Sequence, residues 1–299
     1  MAFADLMGLE KQIAYFERVL ERGTTAHAYA LIGSQGLGKM SLAKALAAAL
    51  LKVEVQRLAT HPDVTFLSRP VDDKTGDKKR HIPLELIRMA CDRLALSAVG
   101  GKKIVIIEDA DTMTLQAQNA LLKTLEEPAG SAVLVLLAED RSRLLRTILS
   151  RCVPITLSCV PTKQLVQCLV ARGYTTQVAE EAAKRAQGRP GVALRLADAD
   201  ALMEARKQSA ILEAFIAAPR HVRIKTITTL VKGDDAKNAD ERQNWLLMLC
   251  GALYTKLHEA DGQQAAMASG LAAVLDAREA LRDNGHTALA LERIALALP

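Results

Sequence analysis

Ala28-Tyr29-Ala30-Leu31-Ile32-Gly33-Ser34-Gln35-Gly36-Leu37-Gly38-Lys39-Met40 is the stretch that decides the fold. A short apolar run meets a glycine-punctuated turn and a lysine, and an Ala/Leu-rich helical stretch then continues to Leu51. Strand, glycine loop and helix in that order cradle phosphate in sequences of the form G-x-x-x-x-G-K-[ST]. The glycines let backbone N–H groups face the phosphates, the Lys reaches their oxygens, and the last hydroxyl ligates Mg²⁺. Gly33, Gly36, Gly38 and Lys39 are therefore candidate nucleotide contacts. Met40 stands where the hydroxyl belongs, and a soft thioether is a poor ligand for a hard cation. The loop reads as able to hold ATP or ADP weakly, with Mg²⁺ only alongside nucleotide, and as poorly equipped for hydrolysis.

Working outward, Val64-Thr65-Phe66-Leu67 and the runs 104–107, 133–137 and 153–157 are further short apolar segments, separated by helical stretches. Continuous apolar strands alternating with helices imply an α/β fold whose parallel sheet is covered on both faces. The glycine loop then lies at a strand's carboxyl end and opens a helix whose N-terminus favours anions. Ile104-Val105-Ile106-Ile107 runs directly into Glu108-Asp109-Ala110-Asp111. Acids in that place suit an NTPase, one holding Mg²⁺ through water and the next polarising an attacking water. A strand that simply ends in solvated acids gives the same pattern, but the glycine loop upstream favours Glu108 and Asp109 as site residues.

Strand signals stop after residue 158. Pro161-Thr162 starts a helix through Val170 with Gly173 beyond it. A second helix runs to Gln187 and stops at Gly188, and a third follows Pro190-Gly191. From Leu202 only helical periodicity remains, broken at Pro219, Gly233-Asp234-Asp235, Gly262 and Asn284-Gly285. The expected domains are 1–158, 159–200 and 201–299. The polar run 71–80 (VDDKTGDKKR) reads as a solvated loop.

Composition narrows the class. Half of the 299 residues are apolar and 24% are charged, while Phe 4, Tyr 4 and Trp 1 leave aromatics scarce, which favours helical packing over sandwiches. A net charge of +5 permits contact with an anionic polymer without demanding it. Charged residues interrupt every long apolar run, so no membrane span is expected, and the first residues lack a basic segment followed by an apolar one. Cys91, Cys152, Cys159, Cys168 and Cys250 form no C-x-x-C pair, which argues for reduced thiols, a cytoplasmic location and no zinc or other resident metal.

Two further segments are more specific. Segment 119–128, NALLKTLEEP, puts Leu115, Leu121, Leu122 and Leu125 on one helical face with Pro128 ending the helix; segment 147–152 is TILSRC. Together with HAYALIGSQGLGK and the late ALERIALAL, in this order along essentially the whole chain, they resemble the bacterial clamp-loader family of AAA+ proteins. The resemblance implies a RecA-like AAA+ P-loop domain, a small helical lid and an all-α collar that joins subunits into a heteropentamer. It also implies a place in DNA replication beside DNA polymerase III. The implied partners are gamma/tau and delta subunits, the sliding clamp and primer-template DNA. Arg151 of Ser-Arg-Cys becomes an arginine finger acting in trans, a role that suits a planar, permanently charged guanidinium.

Gamma/tau motors of the family carry a hydroxyl after the loop Lys, four zinc cysteines, an Asp-Glu order after the strand and a sensor Arg in the lid. Here Met40, Glu108-Asp109, Ala138 near the first sensor and Gly191 at the second depart from that pattern, and no cysteine lies between Leu51 and His61. Delta chains lack the finger. A degraded own site with an intact outgoing finger is the pattern of the family's stator subunit. The alternative is a catalytically active gamma/tau-like ATPase, which Lys39 and the acids keep open.

Overall fold

The computed structural model describes residue 3 and residues 5–72, 78–128, 130–232, 245–246, 248–254, 256–257, 264–282 and 287–298. The chain divides into two compact units, Met1–Val71 with Lys78–Asp198, and Ala199–Pro299 with Asp72–Asp77.

In the first unit five strands, β1 (Ala28–Ile32), β2 (Val64–Leu67), β3 (Lys103–Ile107), β4 (Ala132–Ala138) and β5 (Val153–Thr156), form a sheet in the order β2-β3-β4-β1-β5. Every pairing is parallel. Alternate residues explain why these runs are apolar throughout. Ala28, Ala30, Ile32, Val105, Leu134 and Leu136 face one layer, which holds α3 (Leu84–Ala95) and α4 (Leu115–Glu126). Tyr29, Leu31, Ile104, Ile106, Val135 and Leu137 face the other, with α1 (Glu10–Glu21) and α2 (Lys39–Leu51). A strand buried on both faces has no solvent side on which to place a polar residue.

Register sets what the strands carry at their carboxyl ends. Ile32 pairs with Ala138 and Thr156, Ile107 with Leu136, and Leu67 with Ile107. Gly33, Glu139, Leu157 and Glu108 thereby follow along one edge, where β1 lies between β4 and β5. That edge is where open α/β sheets bind ligands.

Helix α4 corrects one expectation. Its buried residues are Ala117, Gln118, Leu121 and Leu125, while Leu115 is 59% exposed. At 3.6 residues per turn, Leu115 lies about 20° from partly buried Leu122 but about 120° from Leu121, so it sits at the margin of the buried face.

Four short helices follow in this unit: α5 (Arg146–Leu149), then α6 (Thr162–Ala171), α7 (Thr176–Ala186) and α8 (Pro190–Leu196), the last three as a bundle closed around Leu165, Leu169, Ala179, Ala183 and Ala193. Gly188 (φ +80°) ends the α7 turn in a place where a Cβ would stand 2.7 Å from the Cβ of Cys159.

The second unit is helical in its described residues: α9 (Ala199–Ala217), α10 (Arg220–Lys232), helical residues within 245–257, α11 (Gln264–Arg282) and α12 (Thr287–Ala297). Leu212, Phe215, Leu249, Val274 and Ile294 are buried together, and Phe215 meets Trp245 edge to face at 5.2 Å between ring centroids. The predicted breaks at 233–235, 262 and 284–285, and residues 73–77 of the polar loop, lie outside the described residues.

Candidate functional site

The glycine loop leaves β1 through Gly33, whose N–H donates to Ala138 O at 3.0 Å. A Cβ at Gly33 would stand 2.6 Å from Leu157 O, so the chain just after β5 packs too closely for any other residue. Gly36 (φ +86°) and Gly38 (φ +92°) hold left-handed conformations that glycine adopts without strain. Gly38 is also the N-cap of α2, whose dipole favours an anion there.

Lys39 does not reach into open solvent. Its Nζ donates to Gly33 O and, at 3.1 Å, to Ser34 O, so the ammonium is held by carbonyls of its own loop. Burial pulls its pKa below the ordinary lysine value, and the carboxylates of Glu139, Asp111, Asp109 and Glu108 oppose that in decreasing order. Glu139, the strongest of these charges, was not among the residues predicted from sequence, and Asp111 was read as part of the acidic run without being singled out as a site residue. The readable signal was β4 ending in a carboxylate, as β3 does.

The predicted acids are engaged elsewhere. Asp109, at φ +53°, accepts from Arg69 Nε at 2.9 Å, and Glu108 Oε2 lies 3.9 Å from Lys78 Nζ. Asp111 Oδ2 accepts from the N–H of Asp140 at 3.1 Å, which ties the acidic turn to the segment after β4. Met40 is half-buried and packs against the apolar layer of α2.

The lid bundle touches the loop directly. The N–H of Gly191 in α8 donates to Gly36 O at 2.8 Å, and a Cβ at Gly36 would stand 2.6 Å from Val192 Cγ2. A Cβ at Gly191 would come within 3.1 Å of Gly36 O. The position at which a sensor Arg was expected is thus a close backbone contact.

Arg151 follows α5 on a fixed backbone. Its N–H and that of Cys152 both donate to Ile148 O, at 3.0 and 3.1 Å, and Ile148 and Cys152 are buried. Burial pushes the Cys152 thiol up to about 12, so this cysteine acts as a small apolar anchor. The guanidinium pairs with Glu126 Oε1 at 2.7 Å and donates to Thr147 O at 3.0 Å. Among the described residues, no hydrogen bond or ion pair joins Arg151 to the glycine loop. An open groove of about 710 Å³, lined by residues including Arg141, Ser142, Arg146 and Ser150, runs beside this helix.

Gln118 joins these parts. Buried in α4, its Nε2 donates to Met113 O at 3.3 Å and Arg143 O at 2.9 Å, and its Oε1 accepts from Leu145 N at 2.8 Å. It links the end of the acidic turn to the segment leading into α5. A polar residue in register with Leu121 and Leu125 was the sequence signal for it. Among the described residues, no cluster of three or more His, Cys, Asp or Glu could hold a metal ion, and no helix is long and apolar enough to cross a membrane.

A family model described as DNA polymerase III, delta subunit, matches residues 8–161. The DNA polymerase III subunit delta' of Pseudomonas aeruginosa is 37% identical over 157 residues, which is 48% of this chain and 46% of that one. The subunit tau of Salmonella typhimurium is 31% identical over 170 residues, 54% of this chain and 26% of that one. The matched chain thus spans about half the length of the delta' relative and a quarter of the tau relative. A DNA polymerase III, gamma subunit-related protein from Thermotoga maritima has a similar fold, with a TM-score of 0.55, 21% identity, and coverage of 94% of this chain and 97% of that chain.

Proposed function

The chain belongs to the family described as DNA polymerase III, delta subunit, and from that premise we propose that it is a delta-prime stator of a bacterial clamp loader. In this reading it helps to load the sliding clamp onto primer-template DNA and supplies Arg151 to a neighbouring gamma/tau-type ATPase. Delta-type and gamma/tau-type subunits complete the ring in the cytoplasm. Residues 1–158 form the nucleotide domain, 159–200 the lid and 201–299 the collar.

The observation that carries the reading is Met40, packed into the α2 layer where a Mg²⁺-binding hydroxyl would be needed. Gly33, Gly36, Gly38 and Lys39 suit phosphate in their backbone freedom, and a bound nucleotide would draw on them. Mg²⁺ would supply charge neutralisation between phosphate oxygens, but its donor set fits poorly here. The thioether is no ligand, and Asp109 is committed to Arg69. Without the cation, four carboxylates around Lys39 oppose a polyanion. Weak nucleotide binding without turnover follows.

The same acids favour the rival reading of an active gamma/tau-like ATPase, and one experiment separates the two. The purified chain is assembled with gamma/tau-type and delta-type subunits, and ATP hydrolysis is measured with wild type and Arg151→Ala. A finger supplied in trans is worth ~10³–10⁵ at its own site, and the loss over a ring with several sites is smaller. Arg151→Ala should assemble normally and lower the rate. Normal assembly with an unchanged rate removes the finger role.

A further inference from the structure

We propose that Glu126 is a positioning residue for Arg151, holding the outgoing guanidinium in a fixed arrangement before a neighbouring subunit engages it; this rests on the finger reading above. Both roots of the pair are rigid. The backbone at Arg151 is hydrogen-bonded to Ile148 O and flanked by buried Ile148 and Cys152. Glu126 is the last residue of α4, which is anchored by Leu121, Leu125 and Gln118.

Between these roots, the Arg151 side chain would otherwise sample many rotamers. Glu126 Oε1 takes Nη2 at 2.7 Å, while Nη1 is shared between Thr147 O at 3.0 Å and Ser150 Oγ at 3.4 Å. A guanidinium has five N–H donors, so these contacts orient its plane and leave donors for an incoming anion. The side chains stay 35% exposed at Arg151 and 51% at Glu126, so a neighbouring subunit can reach the pair.

An exposed pair of this kind adds little to fold stability and is easily exchanged. Its consequence is orientation, since a group already in place loses less freedom when it engages a transition state. Removing Glu126 therefore acts on the rate and not on the fold.

The test uses the assembled complex with Glu126→Ala, Glu126→Gln, Arg151→Ala and the double variant, measuring kcat and KM for ATP and the melting temperature of each chain. Glu126→Ala is expected to lower kcat about two- to fivefold with KM and melting temperature unchanged. Glu126→Gln, which keeps an acceptor oxygen, should fall between it and wild type. The double variant should match Arg151→Ala alone, because Glu126 acts only through Arg151. If Arg151→Ala lowers the rate while Glu126→Ala does not, or if the two losses multiply in the double variant, this proposal is overturned and the finger reading stands. If Arg151→Ala leaves the rate unchanged, both fall.

Discussion

Replacing Asp63 with Ala tests what fixes the start of β2. Asp63 is fully buried. Its carboxylate accepts from the N–H of Val99 at 3.1 Å, from the N–H of Gly100 and from Lys103 Nζ at 3.0 Å. Its backbone O accepts from Ile104 N at 2.8 Å, so the residue joins β2 to β3 and pins the connection before β3. Asp63→Ala would leave the Lys103 ammonium, in a side chain only 8% exposed, with Pro62 O at 3.2 Å as its remaining described acceptor.

Removing one partner of a buried ion pair costs about 3–5 kcal/mol. For a unit of this size each kcal/mol moves the melting temperature by about 2–4 °C, so a fall of roughly 6–20 °C is expected in the transition of the first unit. Circular dichroism melts at neutral pH measure it. Asp63→Leu combined with Lys103→Met should recover only part of the loss, because the uncompensated charge goes with its partner while the N–H groups of Val99 and Gly100 still lose their acceptor.

pH supplies a second readout. Burial pushes the Asp63 carboxyl upward, but the N–H groups of Gly100 and Val99 and the Lys103 ammonium outweigh it, so the folded value lies below the ordinary one. A depressed carboxyl stabilises the fold above its unfolded pKa, ~3.9, and loses that contribution as pH falls through the folded value. The stability gap between wild type and Asp63→Asn should therefore be full at neutral pH and shrink only below about pH 4. A loss under 1 kcal/mol in Asp63→Ala, or a gap already closing near pH 6, would refute the reasoning.

Two further outcomes concern the site and its surroundings. The isolated chain should release phosphate from ATP no faster than Lys39→Ala, and Met40→Thr should not change this, because a restored hydroxyl leaves Asp109 still paired with Arg69; steady turnover above the control would favour the motor reading. Under native labelling with iodoacetamide, exposed Cys159 should react well before Cys152, whose thiol is buried; early labelling of Cys152, read by peptide mass spectrometry, would show that the anchor beneath Arg151 is loose.

The sheet was legible because it is buried twice. The three central strands are buried on both faces and had to be apolar throughout, so the runs at 28–32, 104–107 and 133–137 stand out. The edge strands at 64–67 and 153–156 leave residues such as Phe66 and Pro154 exposed. The glycines were legible because their backbone requirements are local. The site became harder to read where a side chain serves a partner distant in sequence. Asp109 sits where a catalytic acid would, yet 40 residues separate it from Arg69, which takes its carboxylate. Gln118 had a readable anomaly, a polar residue on the core face of α4, but its partners at Arg143 and Leu145 belong to a segment that only the fold brings near. The four-leucine face assigned to α4 failed at its N-terminal end, where Leu115 opens the helix at the margin of the buried face and stays exposed.

Those distant pairings also bear on which edge of the molecule is free to act. Around the glycine loop the polar groups are turned inward. Lys39 serves Gly33 and Ser34, Gly36 O serves the lid at Gly191, and Asp109 serves Arg69 in a pair whose side chains are 23% and 27% exposed. Rearranging that site for chemistry means breaking several partly buried contacts together, each costly while its groups lack water or a new partner. Arg151 differs in kind. Its root is fixed, its head is half-exposed, and its acidic partner is open to solvent, so exchanging one acceptor for another costs about 0–1 kcal/mol. This asymmetry supports a subunit whose own loop is a closed structural element and whose outgoing arginine is ready to be used by another chain.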